Sequence, residues 1–296
     1  MFLLTIFGFI LLLCPYGFPG RWLGIIGLLP LFFYQAPRPT DNEIWLSILD
    51  VGQGLSAIVQ TKHHTLVFDT GAKYIKTDMG DSVIVPYLHF IHRNEIDKLI
   101  ISHGDNDHIG GALTLMKSFP IHSIETSVPE KFQNKNKKLC LAHDLWQWDG
   151  VTFEYLYPTK NNLHFNNDSS CVLRVSNGTN TILLTGDIEK YAEQQLVQSA
   201  ISLLPATILI APHHGSKTSA DPRFIHSVNP KMVVYAIGYR NRYHFPHRSV
   251  VNAYTDRHAI QFSTVDTGAI TFKMKKNETI PRVEAYRIKE KRYWFD

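Results

Sequence analysis

Three apolar segments of this chain are each followed closely by histidine, aspartate or both. They read "KLIIS", "TILLTGD" and "TILIAPHHGS", and all lie between Lys98 and Ser216. Open α/β sheets place their binding and catalytic side chains along the carboxyl ends of strands. Because one arrangement recurs three times, we expect the three strand ends to face a single cleft.

The first strand end carries the densest group of polar side chains. The stretch "SHGDNDHIGG" places His103, Asp105, Asp107 and His108 within six consecutive positions. Alternate residues of an extended loop point the same way, so the first three can converge, while the start of the next helix turns His108 inward. A turn with a helix cap needs fewer such residues, and the spacing therefore indicates a metal site.

The other two strand ends add Asp187 and the pair His213 and His214. Taken alone, Asp187 could be the N-cap of the helix that follows it, and the histidine pair could be structural. Only the repetition of the first motif makes these residues candidate metal ligands.

The order of predicted elements indicates an α/β fold in which two sheets pack face to face with helices outside. Short strands at "IWLSILDV", "LSAIVQT" and "TLVFDTG" come first, and strands alternate with helices in the middle of the chain. The pattern predicts one helix over "DSVIVPYLHFIHRN" and strands over "QFSTVDTGAITFKM" and "RVEAYRI".

The N-terminus differs in composition from the rest of the chain. The runs "MFLLTIFGFILLLC" and "WLGIIGLLPLFFY" are continuously apolar, although each is shorter than the roughly 20 residues of a full membrane span. We predict a membrane-associated hydrophobic segment over residues 1–34, a linker over 35–43 and a folded domain over 44–296. A cleaved signal peptide is the competing interpretation, but no Lys or Arg precedes Arg21.

Charge and cysteine usage add little about function. Residues 271–296 hold eight Lys or Arg against four acidic residues, a basic end that could meet phosphates or anionic lipids or form only a solvated hairpin. Cys14, Cys140 and Cys171 are widely spaced and lack a CxxC pattern. Their spacing predicts neither a disulfide framework nor a thiolate zinc site.

The motifs resemble a known family. "SHGDNDHIGG" resembles the HxHxDH signature of the metallo-β-lactamase fold, "TGD" its bridging aspartate and "PHHGS" its last histidine motif. With "LDVGQG", "FDTG", "NDSSCVLRV" and "GYRNRYHFPH", they are similar to the C-terminal domain of ComEC-type competence proteins, the inner-membrane channels of bacterial DNA uptake. The resemblance implies a metallo-β-lactamase αββα sandwich preceded by a short hydrophobic membrane segment at the bacterial inner membrane, with DNA and a competence channel domain as expected partners.

The resemblance also implies a set of metal ligands, with two departures from the family pattern. The implied ligands are His103 and Asp105 for one ion, Asp107 and His108 for the other, Asp187 as the bridge, and His214 or alternatively His213 to complete the second ion. Asp105 stands where the signature has its second histidine, and Asn167 and Asp168 occupy a region where many members carry a third. Oxygen-rich ligation favours manganese, with zinc or magnesium as alternatives.

Such a site would suit a phosphodiester substrate. Two divalent ions would keep a residual positive charge beside three carboxylates and could activate a bridging water. Asp107 and His247 are the candidate catalytic residues, His247 as the group that protonates the leaving oxygen. The candidate substrate-binding residues on nearby loops are Asn167, Ser170, Ser216, Lys217 and Asn241. Residues expected to orient ligands or form turns are Asp50, Gln53 and Asp69.

Three functions are compatible with these patterns. The favoured hypothesis is a metal-dependent phosphodiesterase or nuclease that acts on incoming DNA during natural transformation and degrades the strand that does not enter the cell. Because Asp105 and Asn167 stand at histidine positions, a module that only binds or guides single-stranded DNA is the first alternative. A secreted small-ester or lactam hydrolase is the second, and it requires a cleaved signal peptide and zinc.

Overall fold

The computed structural model describes residues 2–32, 36–133 and 136–290. The chain divides into two compact units, Met1–Pro37 and Arg38–Asp296. The first unit contains helices α1 (Phe2–Leu13) and α2 (Leu23–Phe32). Glycines allow these helices to approach closely, since a Cβ at Gly8 would lie 2.8 Å from the carbonyl oxygen of Gly24. Within the described ranges, neither these nor later helices are long and apolar enough to cross a membrane.

The second unit is built from fifteen strands in its described part. In chain order they are β1 (Ile44–Ile48), β2 (Ala57–Gln60), β3 (Thr65–Phe68), β4 (Ile96–Ile101), β5 (Ile121–Thr126), β6 (Lys137–Leu139), β7 (Leu145–Trp148), β8 (Val151–Tyr157), β9 (Val172–Ser176), β10 (Thr181–Leu184), β11 (Ile208–Ile210), β12 (Met232–Tyr235), β13 (Ile260–Ser263), β14 (Ile270–Met274) and β15 (Arg282–Ala285). They form two sheets, with orders β15-β14-β1-β2-β3-β4-β5-β6 and β13-β12-β11-β10-β9-β8-β7.

Helices cover the outer faces of both sheets. The α-helices in the described part of this unit are α3 (Val85–Phe90), α4 (Asn106–Ile109), α5 (Ala112–Ser118), α6 (Lys190–Ser199), α7 (Pro222–Val228), α8 (Arg248–Thr255), α9 (Thr264–Thr267) and α10 (Tyr286–Lys289). One buried core lies between the sheets, a second joins α3 and α5 to the first sheet, and a third joins α6, α7 and α8 to the second sheet. The layers are therefore helix, sheet, sheet and helix, and the predicted α/β sandwich of two sheets is confirmed.

Burial on both faces explains why the central strands are almost continuously apolar. β10, β11 and β12 pair in parallel, as do β3 and β4, and parallel strands need both faces covered. Side chains of one face fill the core between the sheets, and those of the other face pack under helices. The parallel pairing also brings the carboxyl ends of neighbouring strands to the same edge of each sheet.

Two local predictions agree with the structure only in part. The predicted helix over residues 81–94 consists of a π-helical turn, Gly80–Ile84, followed by α3, which ends at Phe90; Pro86 lies in the first turn of α3, where a missing N–H is tolerated. The strand predicted over 261–274 is split by α9, because the Ser263 hydroxyl accepts a hydrogen bond from the Asp266 N–H and caps that short helix. β15 ends at Ala285, and α10 follows.

The described part of the basic C-terminus forms an antiparallel hairpin of β14 and β15. Glu284 pairs with Lys273 and Arg282, and Arg287 pairs with Asp50 at 2.7 Å. Several of its cations thus have carboxylate partners, as the solvated-hairpin interpretation expects. Residues 291–296, which hold two more of the eight cations, lie outside the described residues.

The cysteine spacing indicated no disulfide framework, but the structure contains one disulfide. Cys140 and Cys171 form a disulfide with 5.8 Å between their Cα atoms and a sequence separation of 31. Cys140 follows β6 of the first sheet and Cys171 precedes β9 of the second, so the bond links the two sheets. Only the packing of the sheets brings these residues together, and their spacing carries no signal of it.

Candidate metal centre

The candidate site lies where strands of both sheets end. In the first sheet, β3 is followed by Asp69, and β4 leads through Ser102 to His103 and the short helix α4. In the second sheet, β10 leads to Asp187 and β11 leads to the histidine pair. The structure therefore brings the three sequence motifs to one place, as predicted.

Four side chains converge on one point: Asp107, His108, Asp187 and His214. One ligand atom of each lies within 4.8 Å of those of the others. His108 Nε2 is 3.0 Å from Asp187 Oδ1 and 3.2 Å from His214 Nε2. His214 Nε2 is 3.4 Å from one oxygen each of Asp107 and Asp187. This is the complete donor set that the family resemblance implied for the second ion.

Two hydrogen bonds aim the imidazole rings at this point. His108 Nδ1 donates to Asp69 Oδ2 at 2.7 Å, and His214 Nδ1 donates to the carbonyl oxygen of Ala236 at 2.7 Å. In each ring Nε2 therefore faces the other donors, and its lone pair becomes available to a cation when the Nε2 proton leaves. Carboxylates and carbonyls that accept from the second ring nitrogen typically fix the orientation of metal-binding histidines, so the arrangement fits a divalent cation.

Asp69 is itself held rigidly. It is fully buried and accepts hydrogen bonds from the backbone N–H and the hydroxyl of Ser102, both at 2.7 Å. Asp69 therefore orients a ligand, as expected. Asp50 forms a turn through the Gly52 N–H, and Gln53 accepts a hydrogen bond from the Gly238 N–H.

The donors implied for the first ion are less complete. The Nε2 atom of His103 is buried and makes no hydrogen bond, although Asp105 Oδ2 lies 3.7 Å away. An orphaned imidazole nitrogen beside the cluster is what a ligand awaiting a cation would show. The Asp105 side chain, however, is 63 % exposed, so only His103 of this pair is buried beside the other ligands.

His213 takes a different position from His214. Its Nε2 atom is 3.6 Å from Asp187 Oδ2, the oxygen opposite the one that faces His108, and its Nδ1 atom is 3.1 Å from Glu189. Both histidines have positive φ, 48° and 55°. This left-handed turn separates the two side chains, so that they reach different oxygens of the same carboxylate.

The ionisable side chains of the four-residue cluster shift one another's pKa values. Burial alone would raise the pKa of the Asp187 carboxyl, but the charges of His108 and His214 hold it well below its usual range. Burial alone would lower the pKa of His214, yet the Asp187 carboxylate and a hydrogen bond with Asp107 raise it to about 9. Asp187 and Asp69 likewise raise the pKa of buried His108 well above its ordinary value. A cation that enters must therefore displace imidazole protons.

The backbone around Asp107 is tightly packed. The Leu55 N–H donates to the carbonyl oxygen of Asp107 at 3.2 Å, and a Cβ at Gly54 would lie 2.3 Å from that oxygen. Gly54 also has φ of 135°, which favours glycine. The "VGQG" segment thus positions Asp107 in a way that no larger residue at position 54 would allow.

Three predicted substrate-binding residues have hydrogen-bond partners within the protein. Ser170 is buried, and its hydroxyl accepts from the Asp187 N–H at 3.2 Å and donates to the carbonyl oxygen of Asn167 at 2.7 Å. The buried Ser216 hydroxyl bonds Thr218. Asn241 bonds both backbone polar groups of Phe245, each at 2.8 Å.

The remaining predicted residues lie closer to solvent. Lys217 and His247 are exposed. His247 is the N-cap of α8, where its ring accepts from the Ser249 N–H. Asn167 is half-buried, and its neighbour Asp168 accepts from two N–H groups at the start of α6, on Glu189 and Ala192. The segment where the family often has a third histidine therefore caps a helix in this chain.

Sequence reasoning missed two contributors to the site. The Ala236 carbonyl that orients His214 is a backbone group, for which the sequence carries no signal. Phe245 was also missed, although its ring stacks on His214 with 6.4 Å between centroids. It lies in the quoted motif "GYRNRYHFPH", where an aromatic residue flanked by histidines was the available clue.

Comparisons with known proteins agree with the geometry. The family model described as "Metallo-beta-lactamase superfamily" matches residues 49–238. Two solved structures share the fold, one titled Igni18, a novel metallo hydrolase from Ignicoccus hospitalis (TM-score 0.52, 14 % identity, 79 % of this chain and 100 % of that chain). The other is CmlA, a diiron beta-hydroxylase from Streptomyces venezuelae (TM-score 0.51, 10 % identity, 84 % of this chain and 55 % of that chain).

Curated relatives are more similar in sequence. Competence protein ComA of Neisseria gonorrhoeae is 34 % identical over 99 % of this chain and 41 % of its own length. ComE operon protein 3 of Bacillus subtilis is 30 % identical over 83 % of this chain and 34 % of its own length. The resemblance to ComEC-type competence proteins is thereby confirmed, and the chain spans less than half the length of these relatives.

Proposed function

Because this chain belongs to the metallo-beta-lactamase superfamily, we propose that it is a metal-dependent nuclease that hydrolyses phosphodiester bonds of DNA during uptake. The observation that carries the proposal is the convergence of Asp107, His108, Asp187 and His214, with both imidazoles oriented from behind. The similarity to competence proteins supports DNA as the substrate. The degraded strand would be the one that does not enter the cell.

The roles of the residues follow from their positions. His108 and His214 would hold a cation through Nε2, with Asp107 and Asp187 supplying oxygen ligands, and His103 and Asp105 would contribute to a second ion. Bound divalent ions supply a Lewis acid for the phosphodiester and lower the pKa of a water nucleophile. Mixed carboxylate and imidazole ligation favours manganese, with zinc and magnesium as alternatives.

We further propose that the domain acts at the bacterial inner membrane, on its oxidising side. The disulfide between Cys140 and Cys171 supports that side, because disulfides persist in oxidising compartments. Large apolar side chains of the first unit, among them Leu3, Leu13 and Phe32, are exposed, which supports association of residues 1–34 with lipid or with a channel domain.

A module that binds DNA without cutting it is the second candidate. The exposure of the Asp105 side chain favours it, because an incomplete first-ion site would limit the protein to one cation. The two candidates differ in whether the bound DNA is cleaved.

The test is strand cleavage by the full chain. Purified protein is loaded with Mn²⁺, its metal content is measured, and it is incubated with end-labelled single-stranded DNA. We expect cleavage that EDTA abolishes and that Asp187→Asn abolishes as well. The matched control is Asp149→Asn, in the turn between β7 and β8. It removes a carboxylate bonded to Thr61 and His63, and we expect this variant to cleave.

The outcomes separate the candidates. Metal binding and DNA binding without cleavage would contradict the nuclease proposal and support the binding module. Cleavage that survives Asp187→Asn would assign the activity to a contaminant or to another site.

A further inference from the structure

The loop of residues 238–245, "GYRNRYHF", lies against the candidate metal centre and has no role in holding the cation. We call it the tyrosine–arginine loop. Asn241 holds its shape through hydrogen bonds to Gly238 and to both backbone polar groups of Phe245. The loop is therefore a built surface whose side chains project from a fixed backbone.

A row of rings leads from the metal ligands to the surface through this loop. Phe245 stacks on the ligand His214 with 6.4 Å between centroids and 23° between planes. Tyr243 stacks on Phe245 at 5.4 Å and 18°. Tyr243, at the outer end of the row, is 48 % exposed, and Tyr239 of the same loop is 73 % exposed. Packing among the described residues thus leaves aromatic area of both rings uncovered.

Two cations accompany the exposed rings. Arg240 lies 5.2 Å from the centroid of Tyr239, and Arg242 lies 4.8 Å from that of Tyr243 and donates to its hydroxyl at 2.6 Å. Among the described residues, neither guanidinium forms a salt bridge with a carboxylate. Both charges are therefore available to an anionic ligand.

Exposed aromatic rings interleaved with unpaired arginines are the chemistry that binds single-stranded nucleic acid, in which bases stack on rings and phosphates meet cations. A duplex offers no unstacked base faces. We propose that the tyrosine–arginine loop binds single-stranded DNA beside the scissile phosphodiester, with Tyr243 and Tyr239 stacking bases and Arg240 and Arg242 binding phosphates. The inference rests on the proposed function, whose substrate form it specifies.

Kinetics on two substrates tests the stacking role. The full chain with Mn²⁺ is given a single-stranded oligonucleotide or bis(p-nitrophenyl) phosphate, which has no bases. Tyr243→Ala should lower kcat/KM for the oligonucleotide about tenfold, in the range of one stacked base, and lower it much less for the small ester. Tyr243→Phe keeps the ring and should restore the rate. Arg257 lies in the turn after α8 and is also exposed. Arg257→Ala is therefore the matched loss of an exposed arginine, and this variant should cleave the oligonucleotide as the unaltered chain does.

Binding in EDTA tests the loop separately from catalysis. By fluorescence anisotropy, Arg240→Ala should reduce the slope of log affinity against log salt by about 0.7, the value for one phosphate contact on a single strand. Tyr243→Ala should weaken single-strand binding more than duplex binding. Equal losses on both kinetic substrates, or unchanged single-strand affinity, would overturn the proposal. If the unaltered chain cleaves neither substrate, the nuclease proposal fails while the anisotropy result still decides the role of the loop.

Discussion

Replacing Asp69 with asparagine should weaken divalent-metal binding without unfolding the protein. Asp69 does not belong to the four-residue cluster, but its Oδ2 atom accepts from His108 Nδ1 at 2.7 Å. An amide nitrogen at that place would favour the tautomer of His108 that carries its proton on Nε2, the atom needed by the metal. Loss of such a partner typically costs 10- to 100-fold in affinity, which equals about 1.4 to 2.7 kcal/mol.

Asparagine is compatible with the backbone at this position, because Asp69 has a φ of 59° and asparagine adopts the left-handed region more readily than most residues. Metal affinity is measured by competition with a fluorescent chelator, and folding by circular dichroism. Asp149→Asn is the control, since it also removes a carboxylate that bonds histidines. Those histidines lie in the turn between β2 and β3 and are not part of the four-residue cluster. A folded Asp69→Asn protein with unchanged affinity would refute the argument that His108 is oriented by its partner.

Three further predictions follow from individual contacts. The pKa of His214 is raised from 6.5 to about 9 in the folded protein. Protonation of His214 therefore stabilises the metal-free fold. This stabilisation is complete below pH 6.5 and is lost as pH rises through 9. Calorimetry at pH 7.5 in buffers of different protonation enthalpy should therefore detect proton release on Mn²⁺ binding, and no release would contradict it. Reduction of the bond between Cys140 and Cys171, which closes a 31-residue separation, should lower stability by about 3–4 kcal/mol in denaturant titrations, whereas superimposable curves would argue against it. Gly54→Ala should lower the free energy of unfolding by about 1–3 kcal/mol, because the new methyl group clashes with Asp107. An unchanged Tm would contradict this prediction.

The parts of the site that depend on strand ends could be predicted from the sequence. Apolar runs followed by His and Asp mark where buried parallel strands stop, and parallel pairing brings those stops to one edge. Four of the six implied ligands converge for that reason. The layered α/β fold could be predicted from the same order of strands and helices.

Residues whose role depends on a local backbone bond could not be predicted. Asp105 has the right spacing, but it is the extended residue before α4, and its side chain is mostly in solvent. Ser170 and Asn241 are predicted substrate-binding residues, and the sequence carries no signal of the backbone groups that they bond, on Asp187 and Phe245. The pairing of Cys140 with Cys171 depends on how two sheets pack, which spacing along the chain does not encode.

The central claim is that Asp107, His108, Asp187 and His214 form a divalent-metal centre. Its most direct test is an anomalous-difference map at the manganese edge, from crystals of the full chain soaked in Mn²⁺. We predict a peak within ligand distance of these four side chains, with His108 still bonded to Asp69 through Nδ1. A map with no peak there under saturating Mn²⁺, while His108 and His214 keep their direct contact, would contradict the account.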